Sequence, residues 1–261
     1  MNAPPESASV TFDLTGSRVW VTGASRGLGR AMALGFAAAG AQVALTARSA
    51  DAVKEVAAEI EQMGGTPLVL VGSVSDTEAV TRSAATIREE WKGLDVLVNC
   101  AGVSPMFKRA EFVEDDEWRD VLDVNVTGAF LCAREAGKLM LEGGGGAVVN
   151  ISSIHGQVGM ERMAAYSASK GAVDALSRTL ALEWAGRGIR VNTISPGYFE
   201  TDMTEALRGH QKWRGHLLSK IPMGRFGVPD EIVSAALFLA SDASGFMTGS
   251  NMVVDGGWTA A

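Results

Sequence analysis

A tyrosine and a lysine four residues apart are the side chains best suited to chemistry. Tyr166 and Lys170 lie in the run Tyr-Ser-Ala-Ser-Lys, within a stretch that predicts a helix. Side chains at this spacing share a helix face, so the phenol and the amine should be neighbours. A free phenol has a pKa of ~10, and we expect the ammonium to favour phenolate and lower that pKa. Tyr166 is therefore a candidate proton donor and acceptor, although a pair on the helix surface is the alternative.

Serines upstream of this pair support the chemical interpretation. Ser152 and Ser153 follow an apolar run at residues 148–151, which predicts a buried strand. Open α/β sheets bind ligands beyond the carboxyl ends of their strands. His155 and Gln157 come next and are expected to line a substrate pocket, although His155 could simply cap the loop.

Glycines after the first predicted strand form a candidate phosphate loop. They follow the pattern G-x-x-x-G-x-G and precede an alanine-rich helical stretch. Glycine lets the backbone approach a pyrophosphate, whose charge is then met by N–H groups and the helix dipole. An ordinary glycine turn is the alternative, and the position between strand and helix argues against it. The predicted dinucleotide contacts here are Gly23, Ser25, Arg26, Gly27, Leu28 and Gly29.

The end of the second predicted strand decides between two dinucleotides. An acid at this position binds the ribose 2′-hydroxyl of NAD and repels a 2′-phosphate. The chain has Ala47, Arg48 and Ser49 instead, and Arg26 lies in the preceding loop. Guanidinium groups form forked, charge-assisted hydrogen bonds with phosphate, so we expect NADP(H), with Arg48 and Ser49 among its contacts. The alternative is that Arg48 is only a solvated arginine.

Short β-branched runs alternate with longer helical patterns along the chain. This rhythm predicts an α/β fold, a single-domain Rossmann-like doubly wound parallel sheet of about seven strands with helices on both faces. The predicted strands cover residues 18–22, 42–46, 67–71, 95–98, 147–151, 190–194 and 252–254. Residues 196–227 break the rhythm and are expected to form a substrate lid.

Composition narrows the possible partners. The chain of 261 residues is 47% hydrophobic and fits one domain, 1–261, and its net charge of −7 makes nucleic-acid and membrane partners improbable. Its start lacks the pattern of a secretory signal, so we expect a cytoplasmic protein. Cys100 and Cys132 share no metal-ligand spacing, and with three histidines in the chain we expect no metal site.

Taken together, these motifs resemble the short-chain dehydrogenase/reductase family along nearly the whole chain. The resemblance implies that Ser153 polarises the substrate oxygen and that Tyr166 is the general acid/base. Lys170 would bind the nicotinamide ribose and lower the pKa of the tyrosine, and Asn125 matches the asparagine that holds a relay water. The catalytic residues implied are thus Asn125, Ser153, Tyr166 and Lys170.

The resemblance also implies further cofactor contacts and two departures from the family pattern. Cys100 replaces the second asparagine of the Asn-Asn-Ala-Gly motif, and Ser73 stands where many relatives place an acid or amide against the adenine. We expect neither change to remove a catalytic group. The implied contacts are Ser73, Val74, Asn99, Ala101, Gly102, Tyr166, Lys170, Pro196, Gly197, Phe199 and Thr201.

The expected activity is NADP(H)-dependent hydride transfer between a ketone and a secondary alcohol. The motifs look most similar to the gluconate 5-dehydrogenase and 3-oxoacyl-acyl-carrier-protein reductase branch, which favours a sugar acid such as 5-keto-gluconate over a 3-oxoacyl thioester. A non-catalytic dinucleotide-binding module is a further alternative. A cluster in the lid could attract a carboxylate or simply face solvent, and it comprises Arg208, His210, Lys212, Arg214, His216 and Lys220.

The family resemblance finally implies a homotetramer. The helical stretches at residues 121–140 and 165–184 are rich in alanine, leucine and valine, more than one sheet face should absorb.

Overall fold

Seven parallel strands form one sheet in the order β3-β2-β1-β4-β5-β6-β7. The structure, a computed structural model, describes residues 12–104 and 106–260. The strands are β1 (Arg18–Thr22), β2 (Gln42–Ala47), β3 (Leu68–Val71), β4 (Val96–Asn99), β5 (Gly146–Ile151), β6 (Ile189–Pro196) and β7 (Asn251–Val254). The strand order reverses between β1 and β4, and this is the position at which doubly wound sheets bind dinucleotides.

Helices cover both faces of the sheet. They are α1 (Gly27–Ala38), α2 (Ala50–Gln62), α3 (Thr77–Trp91), α4 (Asp115–Leu122), α5 (Gly128–Gly143), α6 (Ala164–Trp184), α7 (Asp202–Gly209), α8 (Gln211–Leu218) and α9 (Val233–Ala240). Val19 and Val21 of β1 pack into a core with α1, α2 and α9, whereas Trp20 packs on the opposite face with α3, α5 and α6. This alternation buries both faces of a parallel strand and explains its continuous apolar sequence.

All seven predicted strands are present, and the doubly wound fold is confirmed. The predicted bounds differ by a few residues for local reasons. Pro67 precedes β3 because proline has no N–H to donate to a neighbouring strand. Asp95 precedes β4 and accepts hydrogen bonds from the backbone and side chain of Arg18. Pro196 ends β6, so the predicted lid begins inside a strand before it continues into α7 and α8.

None of the helices in the described residues is long and apolar enough to cross a membrane. Within the same ranges, 12–104 and 106–260, no three His, Cys, Asp or Glu residues form a group that could hold a metal ion.

Candidate active site

A cleft of about 410 Å³ opens at the carboxyl edge of the sheet. Six strands contribute to it through the residues that follow them, which include Gly23, Arg48, Ser73, Gly102, Ser153 and Gly197. The predicted site residues that line the cleft are Gly23, Ser25, Arg26, Gly27, Leu28, Gly29, Arg48, Ser73, Val74, Ala101, Gly102, Ser153, His155, Tyr166, Lys170, Pro196, Gly197, Phe199 and Thr201. The topology therefore brings together residues that are far apart in the chain.

The glycine loop between β1 and α1 has the form that a pyrophosphate requires. A Cβ at Gly23 would lie 2.8 Å from the Cα of Ala101, and Gly23 has a positive φ of 68°. A Cβ at Gly29 would meet the carbonyl oxygen of Gly23. Both positions therefore require glycine, and they place the amino end of α1 against the cleft. The loop fits the phosphates of a dinucleotide.

Two arginines line the same part of the cleft. The guanidinium of Arg26 lies 3.5 Å from the carboxylate of Asp202, the first residue of α7, and both side chains are largely exposed. Arg48 is exposed at the end of β2. The predicted contact Ser49 does not line the cleft, because its hydroxyl accepts a hydrogen bond from the N–H of Ala52 and caps α2.

The proposed catalytic side chains meet at the start of α6. Lys170 lies one turn after Tyr166, with its Nζ 5.7 Å from the centre of the phenol ring. Lys170 is buried and donates a hydrogen bond of 2.8 Å to the carbonyl of Ile151, at the end of β5. The Ser153 hydroxyl interacts with the Tyr166 phenol and accepts a hydrogen bond of 3.1 Å from the N–H of His155. Serine, phenol and ammonium thus form one group.

The pKa of Tyr166 departs from the expectation drawn from the sequence. Burial raises the pKa of the phenol above its usual value because the phenolate loses hydration, and the interaction with Ser153 opposes that shift only in part. Lys170 does not produce the predicted lowering, since its ammonium is itself buried and donates to Ile151. Burial also lowers the pKa of Lys170 to about 8. Of the two neighbours, Ser153 is the one that favours the phenolate in this arrangement.

Asn125 and Asn99 lie behind the cleft rather than in its lining. Asn125 occupies a π-helical turn, Asp123–Thr127, between α4 and α5. Its amide pairs with both backbone groups of Val103, at 2.7 and 3.0 Å, and donates to the Ser169 hydroxyl. Asn125 therefore holds the loop after β4 against α6, and the relay water implied by the family resemblance stays a prediction.

Asn99 is buried and donates to the carbonyl of Ala129 and to the side chain of Asn150. Its amide thus ties the end of β4 to α5 and to β5. Asn99 does not line the cleft, and its predicted contact with the cofactor stays a prediction.

The two departures from the family pattern have local compensation. The backbone N–H groups of Cys100 and Ala101 both donate to the hydroxyl of Thr22, so this loop does not depend on a side-chain amide at position 100. Burial raises the pKa of Cys100 to about 12, which keeps the thiol neutral. The Ser73 hydroxyl lies 2.9 Å from that of Ser75 and borders the cleft.

The two predicted substrate contacts have different positions. His155 is buried in the turn after β5 and lines the cleft. Gln157 does not line it, because its amide turns towards the Ser195 hydroxyl at 3.3 Å. Tyr198 lines the cleft beside His155 and was missed, although it comes two residues after the end of β6. The sequence signal for Tyr198 was its place after a strand, but strand order is needed to bring it to His155.

Apolar side chains in the cleft were missed as well, and the cationic cluster of the lid is not in the cleft lining. The missed apolar residues are Val103, Met106, Phe107, Met163, Met203 and Leu207. Arg208 instead bonds Thr204 and the carbonyl of Thr201, while His210, Lys212 and Arg214 are exposed. The Nζ atom of Lys220 lies 5.5 Å from the centre of the Trp258 ring. None of the six lid cations lines the cleft. Within the described residues, the cations in the lining are Arg26, Arg48 and Lys170.

A family model described as enoyl-(acyl carrier protein) reductase matches residues 23–259, from the glycine loop to the end of the sheet. The chain is a short-chain dehydrogenase/reductase. This family assignment agrees with the strand order and with the Ser153, Tyr166 and Lys170 group. The protein is accordingly an oxidoreductase that acts on alcohol or ketone groups with a nicotinamide dinucleotide.

Individual members of the family are similar over nearly their whole length. The short-chain dehydrogenase/reductase described here is 41% identical to D-threitol dehydrogenase of Mycolicibacterium smegmatis, over 97% of this chain and 98% of the relative. It is 37% identical to gluconate 5-dehydrogenase of Gluconobacter oxydans, over 95% and 96%. A gluconate 5-dehydrogenase structure from Burkholderia cenocepacia, in complex with NADP and tartrate, superposes with a TM-score of 0.92 at 34% identity, over 96% and 98%.

Proposed function

We propose that this enzyme interconverts a secondary alcohol and a ketone with NADP(H), using Tyr166 as the general acid/base. One observation carries the proposal: the Ser153, Tyr166 and Lys170 group shares a single cleft with the glycine loop. The geometry of the group argues against a non-catalytic dinucleotide-binding module, since a binding module needs no serine beside a tyrosine in the cleft lining.

The residues of this chain divide the chemistry among them. A bound nicotinamide dinucleotide supplies the hydride to the carbonyl carbon, or accepts it in the reverse direction. Ser153 donates a hydrogen bond to the substrate oxygen as negative charge develops there. Tyr166 gives that oxygen its proton in reduction and takes the proton in oxidation. Lys170 lies one turn after Tyr166, donates to the carbonyl of Ile151 and is proposed to bind the nicotinamide ribose.

Preference for NADP(H) follows from the charges at the end of β2. Arg48 and Arg26 line the cleft, and Ala47 stands where an acid would select NAD. The solved relative with bound NADP supports the same choice. The experiment measures kcat/KM with NADPH and NADH. We expect NADPH to be preferred, and we expect Ala47→Asp combined with Arg48→Ala to reverse the preference. A wild-type enzyme that prefers NADH would refute the role of the arginines.

The substrate is proposed to be polar rather than bulky and apolar. The relatives that act on threitol and gluconate support this class. The sequence favoured a sugar acid through its resemblance to gluconate 5-dehydrogenases, and the cationic lid cluster was a possible partner for the carboxylate, but that cluster does not line the cleft. A sugar acid such as 5-keto-gluconate therefore loses the carboxylate partner that was proposed for it.

A 3-oxoacyl thioester is a second candidate. It is favoured by the apolar side chains in the lining, among them Met106, Phe107 and Met163, which an acyl chain could contact. Assays with acetoacetyl thioester and a hydroxylated ketone at fixed NADPH separate the two candidates. Higher kcat/KM on the thioester would favour the second.

A further inference from the structure

His155 and Tyr198 form a polar pair in the wall of the cleft that the proton-transfer chemistry does not use. They follow the neighbouring parallel strands β5 and β6, which brings their side chains together at the same sheet edge. The Nε2 atom of His155 lies 2.9 Å from the phenol oxygen of Tyr198. Its Nδ1 atom lies 3.3 Å from the carbonyl oxygen of Val158.

These contacts fix the direction of the hydrogen bond. A carbonyl can only accept, so Nδ1 carries the proton and donates it to Val158. Burial lowers the pKa of His155, which keeps the ring neutral and makes Nε2 an acceptor. Tyr198 must then donate its single proton to Nε2. The sulfur of Met160, 3.6 Å from the phenol, is the longer and weaker acceptor.

The phenol oxygen of Tyr198 can therefore accept a hydrogen bond from a molecule in the cleft. Its proton is committed to His155, and the lone pairs of its oxygen stay available. Burial raises the pKa of Tyr198, and the nearby Tyr166 phenol raises it further, so the group remains a neutral phenol. Tyr198 and Tyr166 both line the cleft.

Packing holds the Tyr198 ring in place. Its centre lies 5.0 Å from that of Trp258 and 5.6 Å from that of His155. Leu217 of α8 and Phe226 complete the buried apolar cluster around it. An acceptor on such a rigid support can select a substrate by hydrogen bonding, because an analogue that lacks the donor leaves the buried group unpaired.

We propose that Tyr198, oriented by His155, accepts a hydrogen bond from a substrate hydroxyl beside the reacting carbon, so that the preferred substrate is an uncharged vicinal diol or the corresponding hydroxy ketone. The cations in the described lining support an uncharged substrate. Arg26 and Arg48 lie with the glycine loop and the end of β2, and Lys170 donates to Ile151. This inference rests on the proposed function and adds the substrate class to it.

The test compares three small ketones at fixed NADPH: hydroxyacetone, butanone and pyruvate. Hydroxyacetone and butanone differ by a hydroxyl in place of a methyl group, and pyruvate carries a carboxylate. We expect kcat/KM for hydroxyacetone to exceed that for butanone by roughly tenfold or more. We also expect it to exceed that for pyruvate. Equal values for hydroxyacetone and butanone, or the highest value for pyruvate, would overturn the inference while leaving the proposed function intact.

Variants of Tyr198 and His155 test which side chain distinguishes hydroxyacetone from butanone. Tyr198→Phe keeps the ring and removes the oxygen, so the hydroxyacetone-to-butanone ratio should fall towards one. His155→Leu should lower the ratio as well, and His155→Gln, which restores an acceptor, should recover part of it. Trp258→Phe is the matched control, because it disturbs the packing of Tyr198 but keeps the phenol, and the ratio should persist.

A ratio that is unchanged in Tyr198→Phe contradicts the inference. Affinity for NADPH, measured for each variant, confirms that the cleft is still formed. Absence of turnover on all three ketones with both NADPH and NADH overturns the proposed function, and this inference with it.

Discussion

The buried ammonium of Lys170 lowers the free energy of unfolding, and the size of this effect depends on pH. Burial lowers its pKa to about 8, whereas a lysine in the unfolded chain has a pKa of ~10.4. Between these values the unfolded chain holds a proton that the folded chain has released. Stability therefore rises with pH across this window, and below it the folded protein bears the cost of a buried ammonium.

Lys170→Met should reveal this cost. The stability of the wild type relative to the variant should increase from pH 8 to pH 10 by at most ~3 kcal/mol, because only the wild type gains from deprotonation. The variant also loses the hydrogen bond to the Ile151 carbonyl, which shifts the stability difference by about 1 kcal/mol at every pH. Urea unfolding at a series of pH values measures the difference. Lys54→Met, at an exposed position of α2, is the control and should show no such trend. A difference for Lys170→Met that is independent of pH would contradict the buried charge.

Some site residues could be predicted from the sequence and others could not, for a physical reason. Tyr166 and Lys170 lie within one helical turn, so their spacing alone brings them together. Tyr198 meets His155 only because β5 and β6 are neighbours, and the order of strands is not encoded in a local pattern. The hydrogen bonds of individual polar side chains could not be predicted from the sequence either. Gln157 turns to Ser195 although its position after a strand predicted a pocket residue.

Elements with strong periodicity were predictable, and irregular ones were not. The β-branched runs located every strand, because burial on both faces demands continuous apolar residues. The π-helical turn that positions Asn125 has no distinctive composition, since it needs only one extra residue in a helical stretch. The ends of β4 and β6 extend beyond their predicted bounds, because pairing with neighbouring strands continues past the most apolar residues.

The junction of β1 and α1 should tolerate no side chain at Gly29. In Gly29→Ala the new methyl group meets the carbonyl of Gly23, and a backbone contact cannot yield without moving the loop. We expect affinity for NADPH to fall roughly tenfold or more, because the displaced N–H groups no longer converge on the pyrophosphate. Fluorescence titration with NADPH measures the effect. Gly143→Ala, at the end of α5 where a methyl group meets nothing within 4 Å, is the matched control. Equal affinities in the two variants would refute the loop geometry.

At the scale of the whole molecule, some apolar surface remains uncovered. Phe130 on α5 and Leu182 on α6 are exposed, the latter by 85%, and Phe246 projects near the end of the chain. Other apolar residues of α5 and α6, among them Leu131, Leu139 and Leu180, pack in the core on one face of the sheet. The homotetramer implied by the family resemblance stays a prediction, and in such an assembly exposed apolar side chains are candidates for the interface.

Light scattering at micromolar concentration tests the assembly. We expect the mass of a tetramer, and we expect Leu182→Glu to lower it if α6 contributes to the interface, because a charge would then be buried without a partner. A monomer mass for the wild type would rule out the homotetramer.

Location in the cytoplasm stays a prediction.

Turnover of Tyr166→Phe tests the central claim most directly, because the substitution removes only the oxygen that is proposed to carry the proton. The measurement is the rate of NADPH oxidation with a ketone substrate, together with the Kd for NADPH. We predict that kcat falls roughly a hundredfold or more while the Kd changes by less than about twofold, since the lost term is general acid catalysis. Turnover close to that of the wild type would contradict the assignment of Tyr166 as the general acid/base.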